Sequence, residues 1–264
     1  MHNRESLTAD LHRIGVRPGD KLVVHSSLRA IGQVDGGSKS VVAALLDAVG
    51  SDGLIAAPTF TYHATRFNPE TEPSLTGAIT ETVRHWPGAV RSWHPTHSWA
   101  MIGPDAADIA DGHHLIGGVS FDSPLDRIAK AGGKVLLIGV GHAANTTIHV
   151  GETHANVPYL DVPFFADSPT KMTILIGECE ISGDQLDPSG CSRSFGMVEY
   201  ILRRDEAIRD GKIGNAISQL MIGMNVIDAA KEILAAEPDA LLCDDPDCHR
   251  CTQARVKIAK ARQT

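Results

Sequence analysis

The chain has 264 residues, 42% of them hydrophobic, which suffices for one large α/β domain or a main domain with an appended lobe. Its formal net charge of -8 argues against nucleic acid as the main partner and leaves room for a small cationic one. Residues 1–5 open no leader pattern, and no apolar run approaches the roughly 20 residues of a membrane helix. Five cysteines, an odd number, fit a reducing cytoplasm better than a disulfide scaffold.

Residues 6–14 read as a short amphipathic helix with Leu7, Leu11 and Ile14 on one face, ended by Gly15 and a turn at Pro18-Gly19-Asp20. Residues 21–25, KLVVH, form a buried strand, and Ser26, Ser27 and Leu28 leave its end. Ser38 is the expected N-cap of a helix over 41–49, and 54–57 is the next strand. Residues 59–73 show no period and mix polar with aromatic side chains, as a loop that covers something would. A second polar cluster, Arg91-Ser92-Trp93-His94-Pro95-Thr96-His97-Ser98, precedes a strand at 99–102, and Ser123-Pro124 opens a helix through Ile128. Further on, a strand is expected at 173–177, with helical patterns over 195–208, around 217–234 and over 251–262. Strands alternating with helices imply a mostly parallel sheet with helices on both faces. One unit over 1–264 is the simplest organisation, its helical tail from 195 to 264 packed onto it.

The rest is organised around residues 134–152, KVLLIGVGHAANTTIHVGE. Val135 to Ile138 is an apolar run buried on both faces, after which Gly139 and Gly141 turn the chain. Thr146 is the expected N-cap of a short helix. His149 then falls in the first turn, and Glu152 one turn on along the same face. A histidine there feels the positive end of the helix dipole, which favours the neutral, proton-accepting imidazole.

Competing readings exist for each piece. Gly139-Val140-Gly141-His142-Ala143-Ala144 matches the G-x-G-x-x-A dinucleotide fingerprint, which keeps a nucleotide-binding oxidoreductase as an alternative; a tight strand-to-loop turn is the plainer use of these glycines. H-x-x-E lacks the second histidine of a zinc protease helix, and the chain has no G-x-S-x-G elbow for a serine hydrolase.

Four motifs stand in a telling order: His25-Ser26-Ser27-Leu28-Arg29-Ala30-Ile31-Gly32, His94-Pro95-Thr96-His97-Ser98, Phe121-Asp122-Ser123-Pro124, and Leu136 to Gly141 followed by Thr146-Thr147-Ile148-His149-Val150-Gly151-Glu152. In this the chain resembles the aminoglycoside 3-N-acetyltransferase family, in its shorter, environmental branch. The resemblance implies a three-layer α/β/α fold around a mixed sheet and acetyl transfer from acetyl-CoA to an aminoglycoside amine. It implies His149 and Glu152 as the catalytic pair, and His25, Ser26, Ser27, Leu28, Ser98, Ser123 and Thr146 as residues that meet coenzyme A. A different small amine is the alternative acceptor. The Q/R-x-x-G-x-G/A mark of the larger acetyltransferase superfamily is missing, since Gln33-Val34-Asp35-Gly36-Gly37-Ser38 fails at its last position.

The tail carries a separate signal. Cys248-x-x-Cys251 is a zinc half-site, Cys243 or His249 offers a third ligand, and Cys191 completes a tetrahedral set if the tail folds back. A structural zinc is therefore expected beside the plainer reading of a polar loop with incidental thiols.

Overall fold

The structure is a computed structural model that describes residues 1–61, 65–184 and 190–263; residues 62–64 of the expected loop over 59–73 lie outside them. In chain order the first half runs α1 (Arg4–Ile14), β1 (Lys21–Ser26), α2 (Leu28–Ile31), α3 (Gly37–Val49), β2 (Leu54–Pro58), β3 (Arg66–Phe67), α4 (Ala78–Arg84), β4 (Val90–Arg91), β5 (Trp99–Ile102), α5 (Ala106–Ala110) and α6 (Pro124–Lys130). The second half runs β6 (Lys134–Ile138), α7 (Thr147–His154), β7 (Lys171–Ile176), β8 (Cys179–Asp184), α8 (Met197–Arg204), β9 (Arg209–Ile213), β10 (Ala216–Ile222), α9 (Gly223–Ala236) and α10 (His249–Ala261).

Period-2 alternation along the central strands creates two cores, one on each face of the sheet. Val23 of β1, with Val135 and Leu137 of β6, joins the core under α5 to α10; Leu22, Val24, Leu136 and Ile138 join the core under α1, α3 and α4. Strands buried on both faces read as the unbroken apolar runs seen in the sequence. Trp99 of β5 is fully buried in the first core, where truncation to alanine costs about 3–5 kcal/mol.

The main sheet has the order β4-β5-β2-β1-β6-β10-β9. Parallel pairing is confined to its centre, β2–β1–β6, and the four outer strands are antiparallel. The sheet is therefore mixed, and less parallel than the strand–helix alternation implies. One cause is the β9–β10 hairpin, whose two-residue turn at Gly214 and Asn215 forces antiparallel pairing. This hairpin also corrects the helix expected around 217–234: residues 216–222 are strand, and the helix starts at Gly223. Hydropathy hides the alternation because Ile217 faces solvent while Ser218 is buried. A second sheet, β3-β7-β8, was legible only at 173–177, since β8 is exposed along its whole length. Ser38 does not cap α3, which begins at Gly37 behind Gly36; its hydroxyl instead meets Thr82 Oγ1 at 2.7 Å. Among the described residues no helix is long and apolar enough to cross a membrane.

Candidate active site

β1 and β6 pair in parallel with Ser26 opposite Ile138, so both deliver their loops to one edge of the sheet. Ser27 N–H donates to Ile138 O at 2.9 Å and holds the two exits together. Gly139 turns the chain after β6 at φ 65°, where a Cβ would stand 2.2 Å from Ala30 Cβ. No side chain fits there, which gives the glycine its use in a tight turn against α2. α7 starts at Thr147, beyond the last small residue of the G-x-G-x-x-A match, so that match does not carry its own helix N-terminus.

The head of α7 is capped by Asn145, whose Oδ1 accepts from Thr147 N–H at 3.2 Å. Thr146, the expected cap, has helical backbone angles and makes no capping bond. Its side chain lines the cleft instead. Three positions apart on this helix, His149 and Glu152 share a face, and His149 Nδ1 lies 2.5 Å from Glu152 Oε2. Nδ1 being engaged, Nε2 is the ring nitrogen left for a molecule in the cleft. Glu152 is only 3% exposed, and its other oxygen accepts from the Tyr159 hydroxyl at 3.2 Å. Burial, and then the charge of Glu152, push the Tyr159 phenol well above its usual range, so it remains a donor. The Phe195 ring meets His149 edge-on at 4.5 Å between centroids.

The cleft holds about 300 Å³, between His25 and Ser26 at the end of β1, Phe60 after β2, Thr146 and His149 on the α7 side, and Phe195. Two further histidines, His25 and His97, line it. Burial pushes His25 down to about 3. Burial, then the nearby His149 and His113, push His97 down to about 3 as well. Both are neutral imidazoles near pH 7 and poor bases. Among the described residues, His25 Nε2 and Ser26 Oγ are buried without a hydrogen-bond partner, in two residues that line the cleft.

A profile described as aminoglycoside 3-N-acetyltransferase matches residues 23–235. The chain belongs to the aminoglycoside 3-N-acetyltransferase family. It is similar to aminoglycoside N(3)-acetyltransferase IV of Salmonella sp, with 31% identity over 238 residues, 89% of this chain and 88% of that protein. Aminoglycoside N(3)-acetyltransferase III of Serratia marcescens is 39% identical over 184 residues, 60% of this chain and 66% of that one. Among solved structures, aminoglycoside acetyltransferase AAC(3)-IVa in complex with a gentamicin superposes with a TM-score of 0.86 at 30% identity, covering 97% of each chain. AAC-IIIb, binary with CoASH, gives 0.79 at 25% identity, covering 89% of this chain and 96% of that one. This chain is accordingly an acyltransferase.

The structure sorts the expected site residues of this acetyltransferase into two groups. His25, Ser26, Thr146 and His149 converge on the cleft, with Glu152 directly behind His149. Ser27, Leu28, Ser98 and Ser123 do not line it. Ser27 caps α2, accepting from Ala30 N–H at 3.3 Å, and Leu28 packs against the second core. Ser98 supports the 59–73 loop: its hydroxyl donates to Thr59 O at 2.8 Å and accepts from Arg91 Nε at 3.0 Å. Ser123 heads α6 buried and without a capping bond; two residues past its motif, the buried Asp126 ties Asp122 N–H, Lys130 and His154 together and docks α6 on α7.

Sequence reasoning missed Tyr159, Asn145, Phe195 and Arg91. Arg91 gathers the loop through Thr59 O at 2.7 Å and Glu72 O at 2.5 Å, with Phe67 under its guanidinium. Burial lowers it to about 10, which leaves it charged at neutral pH. Its only signal was its place at the head of the second polar cluster, which gave it no role of its own. Among the described residues lining the cleft there is no carboxylate. The four tail cysteines do come together: Cys191, Cys243, Cys248 and Cys251 are buried, and their sulfurs lie within 4.8 Å of one another. Cys179 is exposed and apart.

Proposed function

We propose that this chain transfers the acetyl group of acetyl-CoA to an amine of an aminoglycoside, at the 3-amino group for which its family is named, with His149 as general base. The observation that carries this reading is the buried His149–Glu152 pair facing the cleft of a chain with this family membership. An ammonium has no lone pair with which to attack a thioester, so the acceptor reacts as the free amine, and His149 Nε2 takes the proton its nitrogen sheds on bonding to the acetyl carbonyl carbon. The carbon–sulfur bond then breaks, and the coenzyme A thiolate leaves and takes that proton from the imidazolium. Glu152, 2.5 Å from Nδ1, offsets the positive charge that appears on the ring, and Tyr159 keeps the carboxylate aimed. His25 and Ser26 line the β1 end of the cleft, where acetyl-CoA would meet them.

Direct transfer in a ternary complex is favoured over an acetyl-enzyme, because no cysteine lines the cleft among the described residues. With a neutral lining, the attraction for a polycationic acceptor comes from the overall charge of -8 acting at longer range. A thiol-release assay with acetyl-CoA and a panel of aminoglycosides tests the reading. Release with at least one of them is expected; release with none, alongside acetylation of another small amine, would replace the acceptor class.

In the same reading the four-cysteine cluster holds one structural zinc. The donor set fits: four buried thiols around one point are what tetrahedral zinc takes. Free thiols in such number also support a reducing, cytoplasmic setting.

A further inference from the structure

One wall of the cleft is held from outside it. Gly190, Ser192 and Phe195 line the cleft, and Phe195 packs on the His149 ring. Cys191, inside that stretch, directs its thiol away from the cleft and into the cluster with Cys243, Cys248 and Cys251. The other polar links from this stretch to the C-terminal segment are slight. Ser194 Oγ donates to Leu242 O at 3.2 Å, and Arg193 pairs with Asp245 at the surface, where an ion pair contributes little. Gly190 lies directly on Arg250, since a Cβ there would stand 2.7 Å from the guanidinium Nε. Arg250 is buried, its guanidinium lies 5.6 Å from the centre of the Tyr159 ring, and Tyr159 holds Glu152. Two routes thus run from α10 to the catalytic pair, one through Cys191 and Phe195, the other through Arg250 and Tyr159.

We propose that zinc in the cluster sets the position of the 190–195 wall, so that Cys191 is a positioning residue and acetyl transfer depends on metal loading. The inference rests on the zinc reading given above. A tetrahedral zinc–thiolate site has sulfur–sulfur edges of about 3.8 Å, so sulfurs no more than 4.8 Å apart need only a small contraction to close on the ion. With the ion present, a metal–sulfur bond fixes Cys191. Without it, the polar links to the tail are the slight ones just named, and the wall keeps only the apolar packing of Phe195 in the core. Movement of the wall carries Phe195 off the His149 ring and reshapes the face of the cleft that would receive the acceptor.

The experiment uses the full chain purified without a histidine tag, analysed for zinc, beside Cys191→Ser and the control Cys179→Ser. About one zinc per chain is expected in the parent protein. Cys191→Ser keeps three thiols and should hold zinc more weakly. Its acceptor kcat/KM should fall about tenfold, mainly through acceptor KM, with the KM for acetyl-CoA unchanged. Partial unfolding alone would lower the active fraction and leave acceptor KM where it was. Cys179→Ser should match the parent in every measurement.

Folded, active parent protein without zinc would remove the zinc reading itself. Zinc-bound parent with wild-type acceptor kinetics in Cys191→Ser would overturn only the coupling. If Cys191→Ser does not fold, the parent is titrated with a chelator and acceptor KM is followed in the folded enzyme. KM rising in step with zinc loss, and recovering when zinc alone is returned, supports the coupling; KM constant while zinc leaves overturns it.

Discussion

Buried chemistry sits in two regions of this acetyltransferase, and they are built in opposite ways. The proposed catalytic pair comes from one helix: His149 and Glu152 are three positions apart on α7, so they meet as soon as that helix forms. The cysteine cluster brings Cys191 to Cys243, Cys248 and Cys251 across a long stretch of chain, so it exists only when the tail has packed. A site written into one helix forms with that helix, whereas a site assembled by packing reports on the whole fold. The two regions should therefore answer first to different insults, with the 190–195 wall as the link between them.

Chelation should have the largest effect, and it should act through the tail. Structural zinc contributes on the order of 10 kcal/mol of apparent binding energy in small sites, so its removal should lower the thermal midpoint by roughly 10 °C or more. A midpoint unmoved by a strong chelator would erase the distinction between the two regions. Acid should act next, through the cleft side. His25, His97 and His113 are each pushed down to about 3, burial being the leading cause in all three. Between that value and 6.5 the unfolded chain binds protons that the native one refuses. Stability is thus complete above pH 6.5 and falls as pH drops toward 3, at about 1.4 kcal/mol per pH unit for each histidine. Denaturant midpoints at several pH values read this directly, and a flat profile between pH 7 and 5 would refute it.

Two substitutions sharpen the cleft side at smaller scale. Glu152→Gln should lower kcat about tenfold and leave acceptor KM unchanged, because both carboxylate oxygens are spent on His149 and Tyr159. A rise in acceptor KM would mean that Glu152 meets the substrate ammonium instead. Tyr159→Phe should cost less in kcat, and about 1–2 kcal/mol of stability by denaturant unfolding, from one lost hydrogen bond to a charged group.

What could be read from sequence follows the same division. The i, i+3 spacing of His149 and Glu152, the apolar run of β6 and the thiol spacing at Cys248 and Cys251 are local patterns, and each was legible. The motif serines were legible as motifs but not by position: Ser98 and Ser26 look alike in sequence, yet one braces a loop and the other faces the cleft. Tyr159 and Arg91 act through contacts that no period encodes. β10 was misread because it buries Ser218 and exposes Ile217, so hydropathy inverts the true alternation.

The most direct measurement is kcat of His149→Ala with acetyl-CoA and an aminoglycoside, in protein checked for folding and zinc content, from about pH 6 to 9. His149 makes its polar contact within its own helix, while Phe195 packs on its ring, so fold and zinc content are the controls for its loss. A fall in kcat of about 10²–10⁴-fold with coenzyme A binding retained is expected for a lost general base. A folded His149→Ala enzyme with near-normal kcat across that range would contradict the assignment.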